Sequence, residues 1–172
     1  MSTADLLQGQ RTAPASTPRP TRHSNAVLEG VAQDLTPEVC AWLGDVNRTR
    51  DPDLVKADLL EALRRAYFDG YDLARYLDSH GWDSVDAQLV EILNSASSIA
   101  WSHERDAVRA WALGQGDALT LALGAVVDTP YGRGAIVHLD ADQLTYGVRP
   151  PDGPTNGWTI VPYERCTPVE AS

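Results

Sequence analysis

The chain has 172 residues, 43% of them hydrophobic and 22% charged, with a formal net charge of −10 and a pI near 4.7. That length can bury a sizeable core without disulfide staples and is compatible with one or two domains. An acidic chain repels nucleic-acid phosphates, so direct nucleic-acid binding is not expected.

Three Arg face Asp5 and Glu29 in residues 1–33, whereas residues 34–112 carry a net −7 and residues 113–172 a net −4, so no segment is a basic platform. Lys56 is the only lysine among 14 basic residues, a bias that fits a GC-rich bacterial or bacteriophage genome. Cys40 and Cys166 stand far apart without a Cys-x-x-Cys partner, which points to reduced thiols in a cytoplasmic setting rather than to a disulfide framework or a zinc site. Met1 to Gln10 lacks a basic stretch followed by an apolar run, so no secretory signal is expected. No window approaches the roughly 18 apolar residues of a membrane span. The expectation is a soluble, cytoplasmic protein without cofactor or metal.

Residues 1–25 are rich in Ala, Ser, Thr and Pro, and the stretch Thr12 to Pro20 has no periodic apolar residues. Such a segment cannot offset the entropy of ordering, so a disordered arm is expected over 1–33. A first helix is expected at Thr36, with Thr as N-cap and Pro37 at the first helical position. Asp51-Pro52 gives a second start of the same kind, followed by Val55, Leu59, Leu63 and Ala66 on one face, with Asp69-Gly70 as the stop. Tyr71 to His80 read as a third helix closed by Gly81, and Asp83 or Ser84 as the cap of a fourth carrying Val85, Leu89, Val90 and Leu93. The weak helix formers Asn94 to Ser98 predict a break, after which Ser102 caps a fifth helix with Val108, Trp111 and Leu113.

Helical spacing ends near Gly116, where a second domain is expected over 117–172 after a helical one over 34–116. Short β runs follow at Ala125 to Thr129, Ala135 to Leu139, Leu144 to Val148 and Trp158 to Val161, separated by turn clusters such as Pro130-Tyr131-Gly132-Arg133-Gly134. Four or five short strands in about 50 residues are too few for two sandwich sheets but enough for a small barrel. The fold class read from the sequence is α+β, with about five helices followed by a small SH3-like β-barrel.

The pattern Gly124-x-x-Val127-x-Thr129-Pro130-Tyr131-Gly132-x-Gly134-x-Ile136 resembles the opening hairpin of SH3-like, Tudor-type barrels. It is similar to the Tudor domain of bacterial superfamily 1 DNA helicases and to the polymerase-binding domain of CarD-type transcription regulators. The resemblance covers about a quarter of the chain, and the long, proline-rich connection from Pro150 to Gly157 departs from it. It implies attachment to RNA polymerase or another protein through a strand edge, and the partner expected for the chain is RNA polymerase or a repair or defence protein.

His138, Asp140 and Asp142 alternate along the chain, but two carboxylates and one imidazole make a poor cation site. No Gly-x-Ser-x-Gly elbow or phosphate loop occurs, and no catalytic site is expected. Two surfaces remain as candidates for a protein partner. The first is aromatic, with Tyr131, Tyr146, Trp158 and Tyr163 all in the strand-rich segment. The second is acidic, with Asp69, Asp72 and Asp78 around the third helix. The first reading is a non-catalytic protein-interaction module, an accessory protein acting on transcription or DNA-repair machinery. The alternative is a DNA-mimicking inhibitor of a nucleic-acid-binding protein.

Overall fold

The computed structural model describes residues 18–83, 85–114 and 120–169, so the expectation for residues 1–17 lies outside the described residues. Five helices come first: α1 (Asn25–Asp45), α2 (Pro52–Arg65), α3 (Gly70–Ser79), α4 (Ala87–Asn94) and α5 (Ala96–Leu113). Strands β1 (Val126–Thr129), β2 (Gly132–Asp140), β3 (Thr145–Arg149), β4 (Thr159–Pro162) and β5 (Thr167–Pro168) follow, with a 3-10 turn at Tyr163–Arg165. The class is α+β, as the switch of periodicity predicts.

The first helix begins eleven residues before Thr36 and runs straight through Pro37. Val27, Leu28, Val31, Ala32 and Leu35 before the proline are buried, as are Val39, Trp42 and Leu43 after it. One apolar stripe therefore crosses the proline, and its burial outweighs the missing N–H and the ring's clash with the preceding turn, a penalty of about 3 kcal/mol. Thr36, expected to cap, instead donates its hydroxyl to the carbonyl of Ala32 at 2.7 Å. The disordered arm drawn to residue 33 is thus corrected, because residues 25–33 are helical and carry part of the core.

The segment just before α1 is anchored as well. Arg19 donates to the carbonyls of Gln143 and Leu144, pairs with Glu164 at 3.4 Å and lies over the Trp111 ring at 5.4 Å. Arg22 pairs with Glu104 at 3.3 Å. Deleting residues 2–24 is expected to lower Tm by several degrees relative to deleting residues 2–17. A bond to a charged group contributes about 1.5–3 kcal/mol, and about 1 kcal/mol moves a chain of this size by 2–4 °C. Equal melting of the two truncations would count against the anchor.

The second helix ends at Arg65, and Asp69-Gly70, expected to stop it, opens α3 instead. Gly70 sits where a Cβ would lie 2.4 Å from Asn94 Oδ1 and 2.5 Å from the carbonyl of Val90. The glycine lets α3 approach α4 closely and does not end a helix. Asp86, rather than Asp83 or Ser84, caps α4 by accepting from the N–H of Leu89 at 2.9 Å. The predicted break falls at Ser95, so α5 starts at Ala96 rather than after Ser102. Leu113, expected inside, is 84% exposed. The helices share one core, with Trp42, Leu59, Leu73, Leu77, Leu89 and Leu93 at its centre.

The sheet has the order β4-β3-β2-β1-β5, antiparallel throughout. Among the described residues β4 and β5 are the two edges and do not pair with each other, so the five-stranded antiparallel sheet expected after the helices does not close on itself. β5 has two residues, one of them Pro168, which brings no N–H to a ladder. Val127, Ile136, Tyr146, Val148 and Val161 form the sheet's own core. In the β1–β2 hairpin only Gly132 has positive φ, at 114°. Gly134 has another role, since a Cβ there would lie 2.5 Å from the carbonyl of Arg149 and 2.7 Å from Val148 Cγ1. Gly134→Val is expected to cost about 1–3 kcal/mol through overpacking. Urea unfolding checks this, and an unchanged midpoint would contradict the close approach of β2 and β3.

Candidate functional site

The acidic residues come first, because most of the net charge lies on the helices. Asp69 is an N-cap, accepting from the N–H groups of Tyr71 at 2.9 Å and Asp72 at 3.1 Å. Asp72 is half-buried in the first turn of α3, and Asp78 is exposed near its end. Arg75 lies between them. It lines both the ≈300 Å³ groove it shares with Tyr71, Asp78 and Asp86 and the ≈460 Å³ groove it shares with Tyr67, Asp72 and Tyr76. The three carboxylates are interleaved with a guanidinium and do not form a row of like charge.

Other acids on this body hold structure too. Asp86 accepts from Trp42 Nε1 at 3.1 Å in addition to capping α4. The Leu89 N–H foremost, and then the indole, hold its carboxyl below the usual aspartate range. Asp58 pairs with Arg50 at 2.8 Å and accepts from Trp82 Nε1 at 3.0 Å. Asp69→Asn is expected to keep the cap and nearly all of the stability, whereas Asp69→Ala loses about 0.5–2 kcal/mol. Thermal melts of the two variants read the difference, and equal melts would remove the capping role.

Of the four aromatic candidates, Tyr163 packs against the sheet cluster that contains Tyr146, and the four do not share one exposed surface. Tyr146 is 1% exposed and lies in the sheet core, its hydroxyl accepting from the Leu121 N–H at 3.2 Å, so its ring does not reach a partner. Tyr163 is half-buried where the sheet meets α5, its ring 6.2 Å from that of Trp111. Burial foremost, with help from the Glu164 charge, raises its phenol above the ordinary range. Tyr131 is 66% exposed in the β1–β2 turn, with Arg165 at 6.0 Å over its ring. Trp158 is 43% exposed and directly precedes β4. Tyr131 sits beside the β5 side of the sheet and Trp158 at the β4 side, so they belong to different surfaces.

Around Trp158 the register assembles a surface that sequence reasoning missed. Gly147 pairs with His138 on one side and Ile160 on the other, so all three share the face opposite Tyr146 and Val148. The Trp158 ring lies over Gly147, where a Cβ would meet Trp158 Cε3 at 2.6 Å, and its centroid is 5.2 Å from that of His138. Ile160 is 61% exposed beside it. The period-two spacing of Trp158 and Ile160 was the signal available. Which parity faces inward was set by Val161, the fully buried member of β4.

Among the described residues no strand pairs with the outer edge of β4. The Tyr163 N–H donates to the carbonyl of Leu144 at 3.1 Å, which makes Thr145 and Pro162 a non-hydrogen-bonded pair of the ladder. By alternation Val161 and Thr159 bond to β3, while the N–H and C=O of Ile160 point to the unpaired edge. From Asn156 to Tyr163 the chain carries no ionisable side chain other than the Tyr163 phenol. Exposed edges are commonly blunted by charge, and this one has only Pro162.

The alternating His138, Asp140 and Asp142 diverge. The His138 ring lies tilted against that of Trp158, Asp140 accepts from the Gln143 N–H at 3.0 Å, and Asp142 pairs with Arg109 of α5. Among the described residues no group of three His, Cys, Asp or Glu side chains could hold a metal ion. No helix among them is long and apolar enough to cross a membrane. A ≈290 Å³ recess between α5 and the β2–β3 turn is lined by Arg105, Asp106, Arg109, Asp140, Asp142 and Gln143. Comparison with known proteins leaves these surfaces without a precedent to lean on, since no protein-family profile, curated protein or solved structure matches the chain.

Proposed function

We propose that this chain is a protein-interaction module that takes its partner on the β4 edge and the adjoining outer face of the sheet. The observation that carries the reading is the uncharged, unpaired edge at Ile160 with Trp158 exposed beside it. Strand edges give affinity through main-chain hydrogen bonds, and neighbouring side chains give selectivity. A partly exposed tryptophan is the kind of residue that anchors interfaces. The partner class expected is transcription, repair or defence machinery of a bacterial cell, the hairpin resemblance favouring RNA polymerase, with the chain as an accessory protein of bacterial or bacteriophage origin. The interleaving of Arg75 with Asp72 and Asp78, and the capping duty of Asp69, speak against a surface that imitates DNA phosphates.

The test is retention of proteins from a bacterial lysate on the immobilised chain, followed by mass spectrometry. Trp158→Ala and Ile160→Lys are expected to lose specific partners while Tm stays close to wild type. Undiminished retention by both variants would overturn the reading. Retention lost instead on charge reversal at Asp72 and Asp78, and falling steeply with salt, would favour the acidic-decoy alternative.

A further inference from the structure

Acids outnumber basic residues 24 to 14 in this chain, so an arginine with no acid beside it calls for a reason. Arg149, the last residue of β3, is such a residue. Arg19, Arg22, Arg50, Arg109 and Arg133 all hold carboxylates. The half-buried Arg149 side chain makes no hydrogen bond or ion pair, and its Nε is buried without an acceptor. A buried donor left unmet costs free energy, and native structures keep few of them.

Strand register places this residue in the middle of the outer sheet face. Arg149 is two residues from Gly147, so it lies opposite Tyr146 and Val148. Ala135 pairs with Arg149 on one side and Val126 on the other, which makes one row across three strands. His138, Gly147 and Ile160 form the next row, with the Trp158 ring over Gly147. Val126 is 44% exposed and Ile160 61%. The carboxylates that the strands bring to this face are both engaged. Asp128 pairs with Arg133 at 2.8 Å, and Asp140 accepts from the Gln143 N–H at 3.0 Å. One unpaired positive charge therefore sits among apolar and aromatic residues.

We infer that Arg149 reads charge on this face, and that the face takes a protein segment carrying a single carboxylate among apolar residues. The inference rests on the reading of the outer sheet face as a docking surface and names the chemistry of its occupant. Turning the guanidinium onto a carboxylate breaks no hydrogen bond of the free chain and gives Nε and one Nη a two-pronged acceptor. Nucleic acid also offers acceptors, but the net charge of −10 repels its run of phosphates, whereas a lone carboxylate brings one charge. Arginine and tryptophan are among the residues that most often anchor interfaces.

Selection from a random peptide display library on the immobilised full chain reads the occupant. The expected result is a consensus with one Asp or Glu flanked by apolar residues, and on Arg149→Glu a consensus with Lys or Arg in its place. Replacing the acid of the selected peptide by its amide is expected to weaken Kd about tenfold or more, and Arg149→Met to do the same. Made together, the two changes are expected to weaken binding no more than either alone. Arg149→Met keeps a packing stem and removes the unmet donor, so Tm is not expected to fall. An empty selection, an acid preference that survives Arg149→Glu, additive losses, or a Tm lower by several degrees each overturns the inference. Labelled single-stranded DNA binding more tightly than the peptide also overturns it, because the charge would then serve phosphate. An acid-free consensus whose binding is lost on Ile160→Lys leaves the docking surface standing and removes only its acidic occupant. Peptides indifferent to Trp158→Ala and Ile160→Lys remove both.

Discussion

Tyr146→Ala is expected to unfold the sheet, at a cost near the 3–5 kcal/mol typical of truncating a large buried aromatic. The sheet's fully buried cluster has five members, and Tyr146 is the largest of them. Its ring is flanked across the ladder by Leu139 and Val161, and its hydroxyl holds the Leu121 N–H. Alanine leaves a cavity that β3, bonded on both sides, cannot close, and it leaves the Leu121 N–H without its partner. Trp158→Ala removes a ring that is nearly half exposed, so it should affect stability far less. Urea unfolding of the two variants side by side gives the contrast. Similar losses in both would place Trp158 in the core and withdraw it as a docking residue.

Trp42→Ala should have a comparable effect on the helical body, about 3–5 kcal/mol, or roughly 6–20 °C in Tm for a chain of this size. Trp42 is 1% exposed and stacks on Trp82 with ring centroids 6.5 Å apart. Its indole N–H also reaches Asp86, the cap of α4, so one side chain ties the end of α1 to the start of α4. Trp42→Phe keeps most of the buried area and loses the bond, and should fall between wild type and alanine. If phenylalanine melts with alanine, the bond to the cap dominates. If it melts with wild type, burial does. A wild-type midpoint for Trp42→Ala would contradict its place in the core.

Local chemistry was enough wherever the deciding interaction spans a few residues. Asp51-Pro52 opens α2 because a carboxylate cap and a proline at the first position act within one turn. The weak helix formers after Leu93 break the helix at Ser95, and the change from helical to alternating spacing beyond Gly116 marks the sheet. Glycine in the β1–β2 turn was legible in the same way, as Gly132 takes positive φ there. The early start of α1 was also written in the chain, because Val27, Leu28, Val31, Ala32 and Leu35 continue the stripe of Val39, Trp42 and Leu43. Thr36-Pro37 masked it by imitating a helix start, a local preference that burial on both sides overrides.

What the sequence by itself determined is therefore the order of elements, the α+β class and most of the residues that face inward. Tertiary structure alone decided whether the sheet closes, which aromatic residues share a surface and where the acids are engaged. Tyr131 and Trp158 look equivalent in the chain, yet strand order sends them to different sides of the sheet, while Tyr163 meets Trp111 of α5. Asp69-Gly70 reads as a stop until α4 arrives to pack on Gly70. The reason is that a strand's side chains alternate with a period of two, so composition cannot say which parity is inside. That choice, and with it the exposure of Ile160, belongs to the register of β3 against β4, a contact between segments about 14 residues apart along the chain.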